Sequence, residues 1–257
     1  MEINAAEASA FVGSLMWPFM RISAMLMAIP VIGTRMVSIR IRVVLAMLIS
    51  LMVVPLIPEV PAVDPLSLAG LTISLHQVLI GLAMGFVLQM VLATLTIAGE
   101  VISMTMGLGF ASMVDPANGV NVPVLSQFFL IMGTLMFLAL GGHLMIIQLV
   151  VNSFQTLPVS VDGIPRESFW IIIKFGSEMF IGAAWVALPA VISILTITVA
   201  MGVVTRAAPQ LNIFSIGFPV TMLVGFIILM LVMPSILPRF NQILLQGMQL
   251  SQKIGGL

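Results

Sequence analysis

Cysteine and tyrosine are both absent from this chain of 257 residues, and charge is scarce, with nine basic and nine acidic side chains making up 7% of it. Without cysteine there is no disulfide, no thiolate nucleophile and no ligand set for an iron–sulfur cluster. Because the charges cancel, there is no cationic field to gather nucleic acid and no polybasic patch for anionic lipid. The only two histidines, His76 and His143, have no partner at metal-ligand spacing, so no zinc site is expected. A GxxxxGK phosphate loop, HExxH, GxSxG and a GxGxxG fingerprint are all missing. No catalytic site, enzyme activity or cofactor is expected.

What fills the chain instead is apolar sequence: 61% of residues are hydrophobic, and the mean hydropathy is +1.26. No soluble domain hides so much apolar surface, so the chain is expected in a membrane. Runs long enough to cross a bilayer extend over Ala8–Ile32, Val37–Ile57, Leu66–Ala98, Val122–Val151, Ser168–Thr205 and Leu211–Leu237. Together they predict one all-α integral-membrane domain over residues 1–257, built of helical hairpins, some broken or bent. The first run follows Glu2 and Glu7 and is too long for a signal-peptide core, so it is expected to stay attached.

Turn chemistry separates the runs: Pro55, Pro58, Pro61 and Pro65 follow the second, Asp115-Pro116-Ala117-Asn118-Gly119 precedes the fourth, and Pro158 to Pro165 precedes the fifth. Arg35, Arg40 and Arg42 predict a cytoplasmic loop between the first two runs and an outward-facing N-terminus. Alternation then puts Glu59 and Asp64 outside and Arg206 inside, but also Arg166, Arg239 and Lys253 outside. The 38 residues of Ser168–Thr205 would make a helix of about 57 Å, against a hydrocarbon core of about 30 Å. Pro189 lies mid-run, lacks an N–H and is expected to break or kink the helix into two pieces or a bent hairpin.

Several charges lie inside these runs, where a lone charge costs on the order of 3 kcal/mol on insertion scales. Arg21 is central in the first run and Glu100 is flanked by long apolar sequence, so each is expected to meet a partner on another helix or subunit. Lys174 and Glu178 stand four apart on one helix face, as a neutralising pair or a proton path. His143, in Gly141-Gly142-His143, reads as a packed polar residue or helix-end contact, or as a proton relay.

Small residues recur every four positions, at Gly81 and Gly85 and at Gly99, Ser103, Gly107 and Ala111, marking helix faces where backbones approach closely within the chain or between subunits. Most of the 22 methionines read as adaptable filler. Met104, Met106 and Met113, however, surround Gly107, Gly109, Phe110 and the Asp115-Pro116 turn, where an apolar segment suits closing a pore.

The stretch Arg206-Ala-Ala-Pro209-Gln210-Leu-Asn212-Ile-Phe214-Ser-Ile-Gly217-Phe-Pro219 resembles the FliR family, the R component of the flagellar type III protein export gate. Pro30-Val-Ile-Gly33, Gly107-Leu-Gly109-Phe110-Ala-Ser-Met113-Val114-Asp115-Pro116 and Gly141-Gly-His143 agree in order and spacing, so the likeness covers most of the chain. The resemblance implies one subunit of a helical export-gate assembly with FliP and FliQ, bound by FlhB and surrounded by FlhA. Through it unfolded flagellar proteins cross the bacterial inner membrane at the basal body. It also implies a P-like front part, residues 1–151, and a Q-like rear part, residues 152–257, with helices raised partly out of the bilayer.

The same resemblance implies a pore plug at Gly107 to Pro123. There Gly107 and Gly109 would supply backbone freedom, Phe110, Met113 and Val114 an apolar constriction, and Asp115-Pro116 the end of the segment. A plain helix end and turn is the alternative. The loop carrying Arg206, Pro209, Gln210, Asn212 and Phe214 would contact another subunit or the entering chain, or Arg206 would only anchor a helix end. The matching subunit of a virulence injectisome shares the pattern. A proton-coupled small-molecule transporter would also use intramembrane Glu and Lys, but such transporters show internal pseudo-symmetry, and no second copy of the Glu100 or Lys174-Glu178 regions is present.

Overall fold

The computed structural model describes residues 5–34, 37–58, 60–108, 123–208 and 217–254, with side chains from residue 12 onward. Within them the chain forms seven α-helices and no strand. These are α1 (Ala5–Ala28), α2 (Ile39–Val53, ending in a 3₁₀ turn, Val54–Leu56), α3 (Leu68–Thr105), α4 (Val124–Ala139), α5 (Gly142–Thr156), α6 (Arg166–Ala207) and α7 (Phe218–Ile254). The all-α expectation is met. In an apolar solvent only a helix satisfies every backbone N–H and C=O within one segment.

Four helices, α2 with its 3₁₀ turn, α3, α6 and α7, are long and apolar enough to cross a membrane. The α4–α5 pair makes a fifth if its 68° bend is counted as one broken span. That bend divides the single run expected over Val122–Val151. Gly141 supplies it by adopting φ 73°, a left-handed conformation closed to most residues. Gly142 has a different task, since a methyl there would collide with the ring of Phe137 at the end of α4.

Pro189 does not divide α6 as expected, because one helix runs from Arg166 to Ala207 through it. Pro18 in α1 and Pro234 and Pro238 in α7 are also internal. Proline deletes one donor from the ladder, and in an apolar helix breaking the remaining rungs would strand far more polar groups. Ser193 Oγ donates to the Pro189 carbonyl at 2.8 Å, adding a local bond just past the ring. The length problem remains, since 42 residues make a helix of about 63 Å.

The chain divides into two compact units, each drawn from several stretches of sequence. The first comprises Met1–Met90, Phe137–Gly176 and Leu244–Leu257. In it α1 packs against α2, and Trp17, Ile22, Met25, Ile73, Ile80 and Phe154 are buried. The second comprises Val91–Met136 and Ser177–Ile243, with Leu95, Ile102, Phe129, Ile194 and Phe240 among its buried side chains.

In the first unit, a methyl on Gly81 would collide with the backbone oxygen of Arg21, and one on Gly85 would lie 2.5 Å from the Ala28 Cβ. The small-residue face read from the sequence is thus a close contact within the chain, between α3 and α1. In the second unit, Gly99 does the same for α3 and α4, its missing Cβ falling 2.9 Å from the Ser126 Cα.

Burial is uneven: 61% of the most apolar stretch of α3 is inside, against 22% in α2 and α6 and 17% in α7. Gly81→Val should force α1 from α3 and destabilise the protein by about 2–3 kcal/mol. Thermal unfolding of the detergent-solubilised protein would show this, whereas Leu82→Val, at an exposed neighbour, should change little.

Candidate functional site

In the second unit, α3 ends by a left-handed glycine cap. Gly107 has φ 80°, its N–H donates to the Met104 carbonyl at 3.0 Å, and the Leu108 N–H donates to the Ser103 carbonyl at 3.0 Å. This pair of bonds is the Schellman arrangement, which satisfies the last carbonyls of a helix and turns the chain away from its axis. A methyl on Gly107 would lie 2.9 Å from the ring of Phe218, the first residue of α7, and one on Gly225 would lie 2.7 Å from the Met106 methyl.

The end of α3 therefore packs on the beginning of α7. The segment 109–122 leaves from Leu108, and the segment 209–216 arrives at Gly217 and Phe218, so both are rooted at one contact. The first segment returns at α4, where Leu125 and Ser126 lie against Gly99.

Gly107 is a helix-capping residue at the root of the expected plug. Gly109, Phe110, Met113, Val114, Asp115 and Pro116 lie outside the described residues, as do Pro209, Gln210, Asn212 and Phe214. Arg206 is exposed in the last turn of α6, where its charge complements the partial negative charge of the helix C-terminus.

α6 and α7 form an antiparallel hairpin in this unit. Gly182 opposes Ile243, with a missing Cβ 2.7 Å from its Cδ1, and Trp185 opposes Arg239, so the two helices keep an antiparallel register at the open end. Trp185 and Arg239 were not singled out from the sequence.

The first unit holds a polar buried site around Arg21, which is fully buried and pairs with no carboxylate among the described residues. Its Nε donates to Gln77 Oε1 at 2.7 Å, Nη1 to the Ser153 carbonyl at 2.9 Å and Ser153 Oγ at 3.1 Å, and Nη2 to the Leu157 carbonyl at 2.8 Å. Two of these acceptors are carbonyls at the C-terminus of α5, where the ladder runs out and partial negative charge collects. The guanidinium carbon also sits 4.1 Å from the centre of the Phe154 ring. Beside it Trp17 Nε1 donates to Ser74 Oγ at 3.1 Å. Arg21 thus finds its partners on α3 and α5 of its own chain, as neutral oxygens, a helix end and a ring face.

Of the other polar residues, Glu100 is half-buried, while His143, Lys174 and Glu178 are exposed. No ion pair joins Lys174 to Glu178, nor any other described residues. His76, which the sequence left without a role, accepts the Gly163 N–H on Nδ1 at 3.2 Å and anchors the 157–165 loop. Arg42 likewise ties down the turn before α2, donating from Nη2 to the carbonyls of Thr34 and Val37. Among the described residues no group of three or more His, Cys, Asp or Glu comes together as a metal site.

A family model described as "Bacterial export proteins, family 1" matches residues 12–247. The chain belongs to this family. Among relatives of the chain, the flagellar biosynthetic protein FliR of Escherichia coli K12 is 36% identical over 240 residues, covering 93% of this chain and 91% of that protein. FliR of Pectobacterium carotovorum is 38% identical over 238 residues with the same coverage. FliR of Aquifex aeolicus is 33% identical over 234 residues, covering 91% of this chain and 90% of its own length. This bacterial export protein is therefore a multi-pass membrane protein whose relatives are named flagellar biosynthetic proteins.

Two substitutions probe these sites. Arg21→Met should leave Gln77, Ser153 and the Leu157 carbonyl without their donor and cost about 3 kcal/mol or more, with Arg21→Lys recovering only part because it lacks the planar fork. Gly107→Val should cost about 2 kcal/mol, through the left-handed φ and the contact with Phe218. Denaturant or thermal unfolding in detergent reads both.

Proposed function

We propose that this chain is a structural and gating subunit of the flagellar type III protein export channel, passing unfolded flagellar proteins across the bacterial inner membrane at the basal body. The observation that carries the reading is the match, over nine-tenths of the chain, to proteins named FliR in distant bacteria. The geometry of the second unit fits the role. Segments 109–122 and 209–216, where the family-like motifs concentrate, depart from one contact between the end of α3 and the start of α7. A change in either segment is thereby coupled to the other through Gly107 and Phe218.

In this reading the segment from Gly107 to Pro123 closes the pore, with Phe110, Met113 and Val114 as a dewetted apolar constriction. The 206–217 loop meets the entering chain or a neighbouring subunit. The partners are FliP and FliQ in the assembly, with FlhB and FlhA beside it, and energy comes from the proton-motive force and a separate ATPase. The lightly buried apolar faces of α2, α6 and α7 supply surface for those neighbours as well as for lipid. On this reading residues 1–151 are the P-like part and 152–257 the Q-like part.

Deleting Phe110–Val114 should leave the complex with FliP and FliQ intact but make the inner membrane leak ions, measured as conductance or dye entry in cells expressing the assembled complex. A deletion complex that assembles and stays as tight as wild type would overturn the gating role. Failure of the full-length chain to co-purify with FliP and FliQ would overturn the subunit role.

A further inference from the structure

The open end of the α6–α7 hairpin carries an arginine for which no described residue provides an anion. Arg239 is exposed and its guanidinium carbon lies 5.3 Å from the centre of the Trp185 ring, which is itself 58% exposed. No hydrogen bond or ion pair engages the five N–H donors of Arg239. The indole therefore lies within cation–π range of the guanidinium while the N–H donors stay free. A planar donor fork held beside a ring is suited to bidentate capture of a phosphate.

Position along the hairpin says where that phosphate comes from. Between Arg206 and Arg239 the chain carries no charge, and α7 runs uncharged from Phe218 to Pro238. Those 21 residues measure about 32 Å as a helix, close to the roughly 30 Å of bilayer hydrocarbon. On the other arm Trp185 precedes Arg206 by the same number of residues. The exposed Leu188, Ile192, Leu195, Leu231 and Met230 between these ends are suited to acyl chains. A tryptophan paired with an arginine at the end of such a stretch is the chemistry of the headgroup level, where an amphipathic ring and a cation both find partners.

We propose that Arg239 and Trp185 form a binding site for the phosphate of one anionic phospholipid at the membrane–water boundary. This differs from a polybasic surface, which the composition excludes: a single guanidinium, oriented by a ring, supplies the recognition. Glu178 lies two helical turns from Trp185 on α6 and, unpaired with Arg239, disfavours a second anion beyond the first. The site depends on the membrane location of the chain and not on the export role proposed above.

Native mass spectrometry of the full-length protein in detergent, titrated with phosphatidylglycerol or phosphatidylcholine, tests the site. Wild type should retain one phosphatidylglycerol with at least about fivefold preference over phosphatidylcholine. Arg239→Gln and Trp185→Leu should each remove that preference, Arg239→Lys should keep part of it, and Arg206→Gln should leave this preference unchanged. Inorganic phosphate at equal concentration should not displace the lipid. Equal retention by wild type and Arg239→Gln would overturn the proposal, as would displacement by inorganic phosphate. So would a wild-type protein whose Arg239 cross-links to an acidic residue of a co-purified subunit with no lipid retained. Unchanged helical circular dichroism and melting of Arg239→Lys separate loss of the site from loss of the fold.

Discussion

A guanidinium taken out of water must find acceptors for all three of its nitrogens, and Arg21 finds them without using a single carboxylate. Gln77 on α3, Ser153 on α5 and the carbonyl of Leu157 just past the end of α5 receive its donors, and Phe154 covers its face. The first unit depends on this arrangement, because it binds three helices far apart in sequence through one side chain. Two of these acceptors, Gln77 and the Leu157 carbonyl, would otherwise be short of a partner, whereas the Ser153 carbonyl also takes the Leu157 N–H. The last carbonyls of α5 have no further turn to bond, and a lone buried glutamine would be costly in apolar surroundings. Cation and helix end thus solve each other's problem, and the close approach of α1 to α3 at Gly81 and Gly85 lets the short span be bridged.

The second unit uses glycine where the first uses charge. Gly99 lets α4 lie on α3, Gly182 admits Ile243 of α7, and Gly107 ends α3 in a conformation that only glycine holds readily. The Schellman end packs against Phe218 at the start of α7.

Much of the fold was legible in the sequence because its dominant signal is simple: apolar runs of about twenty residues fold as helices in an apolar medium. The small-residue spacing at Gly81 and Gly85 was legible for the same reason, since close backbone approach has few other causes. Proline misled where glycine did not. Pro189 was expected to interrupt α6, yet loss of one donor does not end a helix whose other rungs have no alternative. The sharp bend instead falls at Gly141, where φ 73° is required. The candidate site was less legible, because its contacts join distant residues. Nothing local pairs Arg21 with the end of α5, Trp185 with Arg239, or His76 with Gly163. The expected Lys174–Glu178 pair shows the converse, since spacing on one helix face permits an ion pair without compelling one.

The gating role proposed for this chain requires segments 109–122 and 209–216 to act together on the path of an exported chain. Because the protein has no cysteine of its own, single cysteines at Val114 and Ile213 can carry a photo-activated cross-linker in the otherwise unaltered full-length chain. With an export substrate stalled in the assembled complex, both positions should cross-link to that substrate, and to the same stretch of it. Cross-linking of neither position to the substrate, with both labelling only lipid, would contradict the account.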